Sequence, residues 1–586
     1  FDAQLEAASR KLNAAAKDGP DVRAYLVAAA ELAQHSLKDM SWREALQDDK
    51  HRQPALDALT KELNSLTSTI LTELYDSDPD YEIAVREATP GRILLDIKRS
   101  GMYKCRGVKQ GFREDLIATD GPDFNYASSV VKFSSVRTAL ARRRGRTRIL
   151  GIKDVSTAFL QSHKYPKGMV KYISFKHPLT NKWHYYKQSG PIYGEASAPI
   201  RWEETIAPWL VSQGFERGEN DKGVFYHHER DLLLLLFVDD VLADGEQADV
   251  EWIFDLLATR FECKDADYIT PDTPQDYLGM NVHMDADYIY LSMATYITNA
   301  CKVLNIDNKG RSFKTPISQP IDTESPPLPI QEKKTFLTGL GMLGWLAQTV
   351  RPDVAYAYSR IGQHAANPTT SSMNAVSRAF RYLLDNKYRC LRAPLHEQDR
   401  PVANITMALK AQPCAWRFFC DSDQGGNAEQ QNKRRAQSGL MVTYNGMPVM
   451  WSSKASSVCF ASPLIGESHA DTSSAAHEIY AAGNGTQDIL GYHYVVEEMG
   501  LEFPIPFTLE VDNEAAKIFM EGNAKRSKLR HIDCRQEWVK IIRDRSVCIP
   551  IHVASEDNLA DIFTKILNDK IFEEIRDQIL FVFVTE

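Results

Sequence analysis

Three carboxylates in the first half of the chain stand where apolar runs stop. Asp154 closes the run in GIKDVSTAFLQ, and Asp239 with Asp240 follows the seven apolar residues Leu232 to Val238. A run that is apolar at every position suits a strand buried on both faces. Adjacent aspartates in a turn are ordinarily structural. Three of them on one sheet edge are different, because each makes ionisation of the next more costly. Divalent cations relieve that repulsion. Two Mg²⁺ ions held by acidic oxygens activate an attacking hydroxyl and stabilise the leaving oxygen of a phosphoryl transfer.

A second set lies near the C-terminus. AWRFFCDSD is an apolar run ending at Asp421, and FTLEVDNEAAKIF puts Asp512 between a strand and a helix. SSAAHEIYAAGNGTQDILGYHYVVEEMG reads as a helix carrying Glu478. VCIPIHVASEDNLADIFTK reads as a strand, a loop and a helix carrying Asp561. Carboxylates at two strand ends and on two helices are what a second two-metal site needs. Asp423 is an auxiliary ligand candidate.

These side chains need a scaffold. At 586 residues several domains are expected, and 43% hydrophobic with 25% charged residues is ordinary for a globular chain. The longest apolar run is too short to span a bilayer, and no basic-plus-apolar leader opens the sequence. A first residue of Phe suggests a trimmed piece of something longer. Nine cysteines without a CxxC pair or Cys/His cluster argue against a zinc site or a disulfide framework, and for a reducing compartment. A net charge of −9, taken alone, counts against nucleic acid, but distribution matters more than the sum. One basic cluster comprises Lys132, Arg137, Arg142, Arg143, Arg144, Arg146 and Arg148. Another comprises Lys525, Arg526, Lys528, Arg530 and Arg535.

Residues 1–85 show helical spacing, and SWREALQ predicts a capped helix with Ser41 as N-cap and Glu44 three residues on. Tyr81 to Phe112 predicts extended pieces with turns at Pro90-Gly91 and Ser100-Gly101. A helical pattern over Ser134–Arg144 precedes the strand RILGIKD, and strands alternate with helices to about residue 310. KTPISQPIDTESPPLPIQ, from Lys314, predicts a linker. Helices are expected around 333–349 and 371–386. A second alternating unit starts near Trp416, with a hairpin turn at Asn445-Gly446. The fold class is α/β, with Asp239 and Asp240 at the tip of a buried hairpin.

FVDD resembles the Tyr/Phe-x-Asp-Asp box of reverse transcriptases, and DVSTAFL resembles the first-aspartate box of copia-type LTR retrotransposon enzymes. SWREAL, YKCRGVKQGF, VVKFSSVRTAL, IYGEASAPIRWEETI, YLGMNV, LGWLAQTVRPDVAYAYSR, WSSKASS, VDNEAAKI, HIDCR and NLADIFTK all fall in that family's order. The resemblance implies an α/β (α+β) right-hand polymerase with fingers, palm and thumb, then a connection and a ribonuclease H-like domain. The divisions are a helical segment at 1–85, fingers and palm at 86–283, thumb and connection at 284–412, and ribonuclease H at 413–586.

By the same resemblance Asp154, Asp239 and Asp240 form the polymerase metal triad. Lys104 and Arg106 hold the incoming triphosphate, Phe159 is the steric gate, and Tyr277, Leu278, Gly279 and Met280 form the primer grip. Asp421, Glu478, Asp512 and Asp561 form the ribonuclease H site, and His531 with Asp533 matches a structural or substrate-positioning box. The sequence departs from the family in three places. Phe237 replaces the usual Tyr. Ser197 stands where Gln is usual among the dNTP contacts. Ala476 stands where a further Glu is frequent.

The implied activity is DNA synthesis templated by RNA or DNA, coupled to hydrolysis of RNA in the hybrid, in retrotransposon replication. Each site would use two Mg²⁺ ions, with Mn²⁺ as a substitute. The partners implied are an RNA template, a DNA primer, the RNA–DNA hybrid and dNTPs, with the element's integrase and capsid as further candidates and no membrane. Monomer and dimer both stay open. The expected place is a cytoplasmic virus-like particle, with a nuclear phase allowed. Arg142, Arg143, Arg144, Arg146 and Arg148, with Lys525, Arg526, Lys528 and Arg530, would line the hybrid track. The rival reading is a decayed or domesticated element protein that serves as a nucleic-acid-binding scaffold.

Overall fold

The computed structural model describes residues 40–97, 101–114, 120, 124–142, 147–307, 310, 312–396, 415–423, 436–455, 474–522 and 533–583. The described residues form two compact units, one drawn from 40–131 and 149–267, the other from 132–148 and 268–583. No helix among the described residues is long and apolar enough to cross a membrane.

In the first unit, helix α1 (Trp42–Gln47) opens with the expected capping box. Ser41 Oγ accepts from the Glu44 N–H at 3.1 Å, and the Glu44 carboxylate accepts from the Ser41 N–H at 3.1 Å. Helix α2 (Asp49–Thr69) turns Ala55, Leu59 and Leu66 inward. Strands β1 (Leu71–Leu74), β2 (Thr89–Ile97), β3 (Tyr103–Lys109), β5 (Lys171–Lys176) and β6 (Trp183–Gln188) form a sheet in the order β1-β6-β5-β2-β3. Two local expectations fail here. Tyr81–Glu87 is a short helix, α3, rather than an extended piece. Pro90-Gly91 lies inside β2 rather than in a turn, and Gly91 is there because a Cβ would collide with the Phe175 ring.

The second sheet of this unit carries the first carboxylates. Within the unit its strands run β4 (Arg148–Asp154), β10 (Asp240–Glu246), β9 (Leu232–Phe237), β8 (Val224–His227) and β7 (Glu216–Arg217). Leu232 to Leu236 are all buried, as a central strand requires, and together contribute on the order of 10 kcal/mol of hydrophobic stabilisation. Helices α5 (Ala198–Ser212) and α6 (Gln247–Arg260) also belong to this unit.

The second unit begins with helix α4 (Phe133–Ala141), which a linear division would have left with the polymerase region. Its Arg137 is buried. The guanidinium donates to the carbonyls of Val449 (2.8 Å), Gln348 (2.7 Å) and Thr349 (2.8 Å), and lies 3.9 Å from the Trp451 ring centre. Asn445 Nδ2 donates to the last carbonyl of α4, at Ala141, over 2.8 Å, and Thr138 shares a hydroxyl hydrogen bond with Tyr492. Arg137 belongs to the first basic cluster of the sequence, and its burial separates it from the arginines expected to line a hybrid track. Arg142 and Arg148 are half-buried. Arg143, Arg144, Arg146, Lys525, Arg526, Lys528, Arg530 and His531 lie outside the described residues, as do the side chains of Asp533 and Arg535.

Strands β11 (Gln275–Tyr277), β12 (Met280–Met284), β13 (Tyr288–Ser292), β14 (Arg389–Pro394) and β20 (Phe581–Val582) pair in that order. Helix α8 (Ile330–Thr349) and helix α10 (Thr370–Asp385) fall where predicted. The Pro-rich segment before α8 is packed rather than free. Thr315, Ile317, Ile321 and Leu328 are buried, and Arg378 Nε donates to the Thr315 carbonyl at 3.2 Å.

The last sheet begins at Trp416 as expected. Its order is β17 (Met447–Ala455), β16 (Gln437–Tyr444), β15 (Trp416–Asp423), β18 (Phe507–Val511) and β19 (Cys548–His552). β15–β17 form an antiparallel meander closed by the predicted Asn445-Gly446 turn, where both residues take positive φ. β18 and β19 add in parallel beside β15. Helix α11 (Ser474–Glu498) packs on β15 and β16.

Candidate active sites

In the first unit, Asp154 ends β4 and Asp240 opens the neighbouring β10. The Val155 N–H donates to the Asp239 carbonyl at 2.8 Å, so the first aspartate and the hairpin tip are adjacent. Phe237 pairs with Asp240, which makes Val238 and Asp239 the turn residues. Val238 sits at φ 57°, a left-handed conformation that a β-branched residue adopts only under strain. The indole of buried Trp202, on α5, donates to the Val238 carbonyl at 2.6 Å and pins this turn. Trp202→Phe keeps the ring but removes the donor. We expect a loss of about 1–2 kcal/mol of stability, read by thermal melting.

The charges are poised against each other. Burial, with Asp239 and Asp154 alongside, pushes the Asp240 carboxyl up to about 7. Asp239 is also raised, by burial first and Asp154 next, with Lys264 and Arg106 pulling the other way. Lys264 Nζ lies 2.5 Å from Asp154 Oδ2, and the Lys264 N–H donates to the Asp154 carbonyl at 2.9 Å. Sequence reasoning missed Lys264, because a lysine in a polar stretch looks like solvated surface.

Other expected residues surround this tip to different degrees. The half-buried Phe159 ring packs edge-on to Tyr193 with centroids 5.3 Å apart. The Tyr193 hydroxyl is raised by burial, then by Asp239. Lys104 and Arg106 share one face of β3 and flank Glu62, whose carboxylate accepts the Gly107 N–H at 2.8 Å. Arg106 is 3.8 Å from Asp96 and close enough to Asp239 to lower its carboxyl.

Ser197 is fully buried, and its hydroxyl donates to Glu195 at 2.7 Å while accepting from Arg201 at 3.2 Å. It belongs to an internal ion network. Burial alone would raise Glu195, but Lys109 and Lys171 hold it at about 2. This geometry gives Ser197 no surface at which to meet a nucleotide.

The expected primer grip is a tight hairpin of the second unit. Tyr277 pairs with Met280 across Leu278-Gly279, both at positive φ, and the side chains of Tyr277, Leu278 and Met280 are buried.

The second carboxylate set converges more closely. One ligand atom each from Asp421, Glu478 and Asp512 lies within 4.8 Å of the others, the one such three-residue group among the described residues. Asp421 comes from within β15, two residues before its end, Glu478 from α11, and Asp512 from just beyond β18. Asp561, on a short 3₁₀ turn (Leu559–Phe563), stands beside them and is paired with Lys565 at 2.9 Å. Lys565 also reaches Asp421 Oδ2 at 3.7 Å, and the Thr564 hydroxyl donates to Asp421. Lys565 and Thr564 were not singled out in the sequence, although both lie in NLADIFTK.

Burial, then Asp421 and Asp512, pushes Glu478 up to about 10. Burial and Asp421 push Asp561 up to about 8. A carboxyl raised in the folded state favours folding while protonated. That contribution is complete below the ordinary carboxyl range and is lost as pH rises through about 8 for Asp561 and about 10 for Glu478. In metal-free protein these groups should therefore lower the melting temperature as pH rises from about 6 to 9, and Mg²⁺ should stabilise more at the upper end. Melting curves with and without Mg²⁺ across that range check the sign. The donor set suits a hard divalent cation, because it offers crowded, buried carboxylate oxygens that repel one another without one.

Residues 93–319 match the profile of the reverse transcriptase (RNA-dependent DNA polymerase) family. This span is similar to a reverse transcriptase domain. The curated relatives extend the likeness beyond it. The Retrovirus-related Pol polyprotein from transposon TNT 1-94 of Nicotiana tabacum is 24% identical over 80% of this chain and 33% of its own length. The putative transposon Ty5-1 protein of Saccharomyces cerevisiae is 27% identical over 51% of this chain and 92% of its own. The chain thus spans about a third of the Pol polyprotein. Among solved structures, telomerase from Candida albicans with the TWJ fragment of telomeric RNA covers 56% of this chain and 65% of its own. That match has 10% identity and a TM-score of 0.27, too low to bear on the fold. Asp154, Asp239 and Asp240 all lie inside the span that matches this family.

Proposed function

We propose that this chain is an RNA-directed DNA polymerase that also degrades the RNA strand of its hybrid product, acting in the replication of a copia-type retrotransposon. The observation that carries the reading is the meeting of Asp154 with the Asp239-Asp240 tip at adjacent strand ends inside the span similar to a reverse transcriptase domain. In this reading the first unit supplies fingers and palm. The β17-β16-β15-β18-β19 sheet with its acidic cluster supplies a ribonuclease H-like module.

Asp154, Asp239 and Asp240 would hold the polymerase ions, and Asp421, Glu478, Asp512 and Asp561 the nuclease ions. Bound Mg²⁺ would supply Lewis acidity for the attacking oxygen and charge neutralisation for the leaving one. The chain's own residues do the rest. The Trp202-pinned turn fixes the direction of Asp239. Arg106 and Lys104 present cationic ends for a triphosphate. The Phe159 ring, held against Tyr193, stands where a bulky group would exclude a ribose 2′-hydroxyl. Template, primer, hybrid and dNTPs are the partners of this reading. A cytoplasmic virus-like particle with a nuclear phase is its setting, and integrase and capsid of the same element are its neighbours.

The test is primer extension on an RNA template together with cleavage of a labelled RNA–DNA hybrid, each with Mg²⁺ and with chelator. Metal-dependent extension and cleavage are expected. Binding of template with neither activity would replace this reading by a scaffold protein.

A further inference from the structure

We propose that Lys565 is the resident counter-ion of the nuclease site: its ammonium, seated between Asp421 and Asp561, holds that edge of the acidic cluster together without metal and competes with a second divalent ion for it. The proposal rests on the nuclease reading above. Lys565 Nζ is 2.9 Å from Asp561 Oδ2 and 3.7 Å from Asp421 Oδ2. The close group of Asp421, Glu478 and Asp512 does not include Asp561. One divalent ion therefore finds three converging carboxylates, whereas a second would need the edge that the ammonium already neutralises. A lysine and a divalent cation a few ångströms apart repel, and burial strengthens that repulsion.

The lysine is presented by an anchored segment. Asn558 Nδ2 donates to the Cys420 carbonyl at 3.1 Å, and Ser453 Oγ donates to the Phe563 carbonyl at 2.6 Å. Gly439, beside Asp421 in the sheet, lets this segment approach, since a Cβ there would stand 2.8 Å from the Ala560 carbonyl oxygen. The Thr564 hydroxyl ties the same segment to Asp421. The backbone is thus fixed, while the Lys565 side chain, 34% exposed, has room to swing outward on its methylene stem.

The experiment titrates Mn²⁺ into the full chain carrying Asp154→Asn, Asp239→Asn and Asp240→Asn, so that the polymerase carboxylates do not contribute, and follows free Mn²⁺ by electron paramagnetic resonance. With Lys565 present, one tight and one weaker ion are expected. In Lys565→Met the weaker ion should bind roughly tenfold more tightly. Its metal-free melting temperature should fall by about 2–4 °C and recover with Mn²⁺. Lys565→Gln, which keeps a hydrogen-bond donor without the charge, should tighten the second ion in the same way, and Lys565→Arg should behave as the parent. Unchanged second-ion affinity in both neutral variants overturns the proposal, and so does an Arg variant that behaves like them. Asp512→Asn separates the two readings. If it costs no Mn²⁺, the nuclease site itself is wrong. If it removes the tight ion while the neutral Lys565 variants change nothing, only the role of Lys565 fails.

Discussion

Asp239→Asn should abolish primer extension, lowering the single-turnover rate on the order of a thousandfold or more, equivalent to about 4 kcal/mol of transition-state stabilisation. Asp239 is a turn residue, and its carbonyl already accepts the Val155 N–H. The backbone of the tip therefore has a reason to stay put when the charge is removed. The side chain is nearly isosteric, so the melting temperature should hold or rise, because one buried charge and its repulsion by Asp154 are gone. Template binding and hybrid cleavage should continue. Asp240→Asn is the informative contrast. That carboxyl is held up to about 7, so much of its population is already neutral before metal arrives, and the smaller defect is expected there. Extension by Asp239→Asn near the parent rate would remove the basis for the polymerase assignment, and equal defects in the two variants would put Asp240 on a level with Asp239 as an ion ligand.

The largest expected effect on stability is at Arg137. Arg137→Ala would leave the carbonyls of Val449, Gln348 and Thr349 without their donor, empty the space over Trp451, and loosen α4 within the second unit. Each buried acceptor left unmet costs about 1–3 kcal/mol, and a cavity adds to that. Relaxation will recover part, so about 3–5 kcal/mol is expected. Urea unfolding followed by Trp fluorescence would read it. Arg137→Lys should not rescue, because an ammonium cannot fan out to three separated carbonyls or stack on the ring. A change of under about 1 kcal/mol would contradict the buried placement.

Much of the chemistry could be read from the sequence because it sits at boundaries. An apolar run that ends in a carboxylate marks a strand end, and Asp154, Asp239 and Asp512 followed that rule, whereas β15 continues two residues past Asp421. Ser41 with Glu44, and Asn445-Gly446, were legible because their conformations are set within a few residues. What failed depended on distant partners. Tyr81–Glu87 alternates apolar residues well enough for a strand, yet it folds as a helix packed on β5 and β6. Gly91 is explained only by the Phe175 ring across the sheet. Lys264 and Lys565 acquire meaning only once strands and turns bring them to a carboxylate. Arg137 cannot be told from its neighbours in the basic stretch until its surroundings are known.

The membership of α4 in the second unit bears on how such genes can recombine. A crossover anywhere between the codons for residues 148 and 416 would join a helix adapted to one sheet with a sheet from another lineage. The Arg137 guanidinium, the Asn445 amide and the Trp451 ring would then descend from different ancestors. Chimeras that carry residues 132–148 along with the C-terminal half should be inherited intact more readily than those cut at the linear boundary, so C-terminal units exchanged among relatives should bring this short upstream block with them.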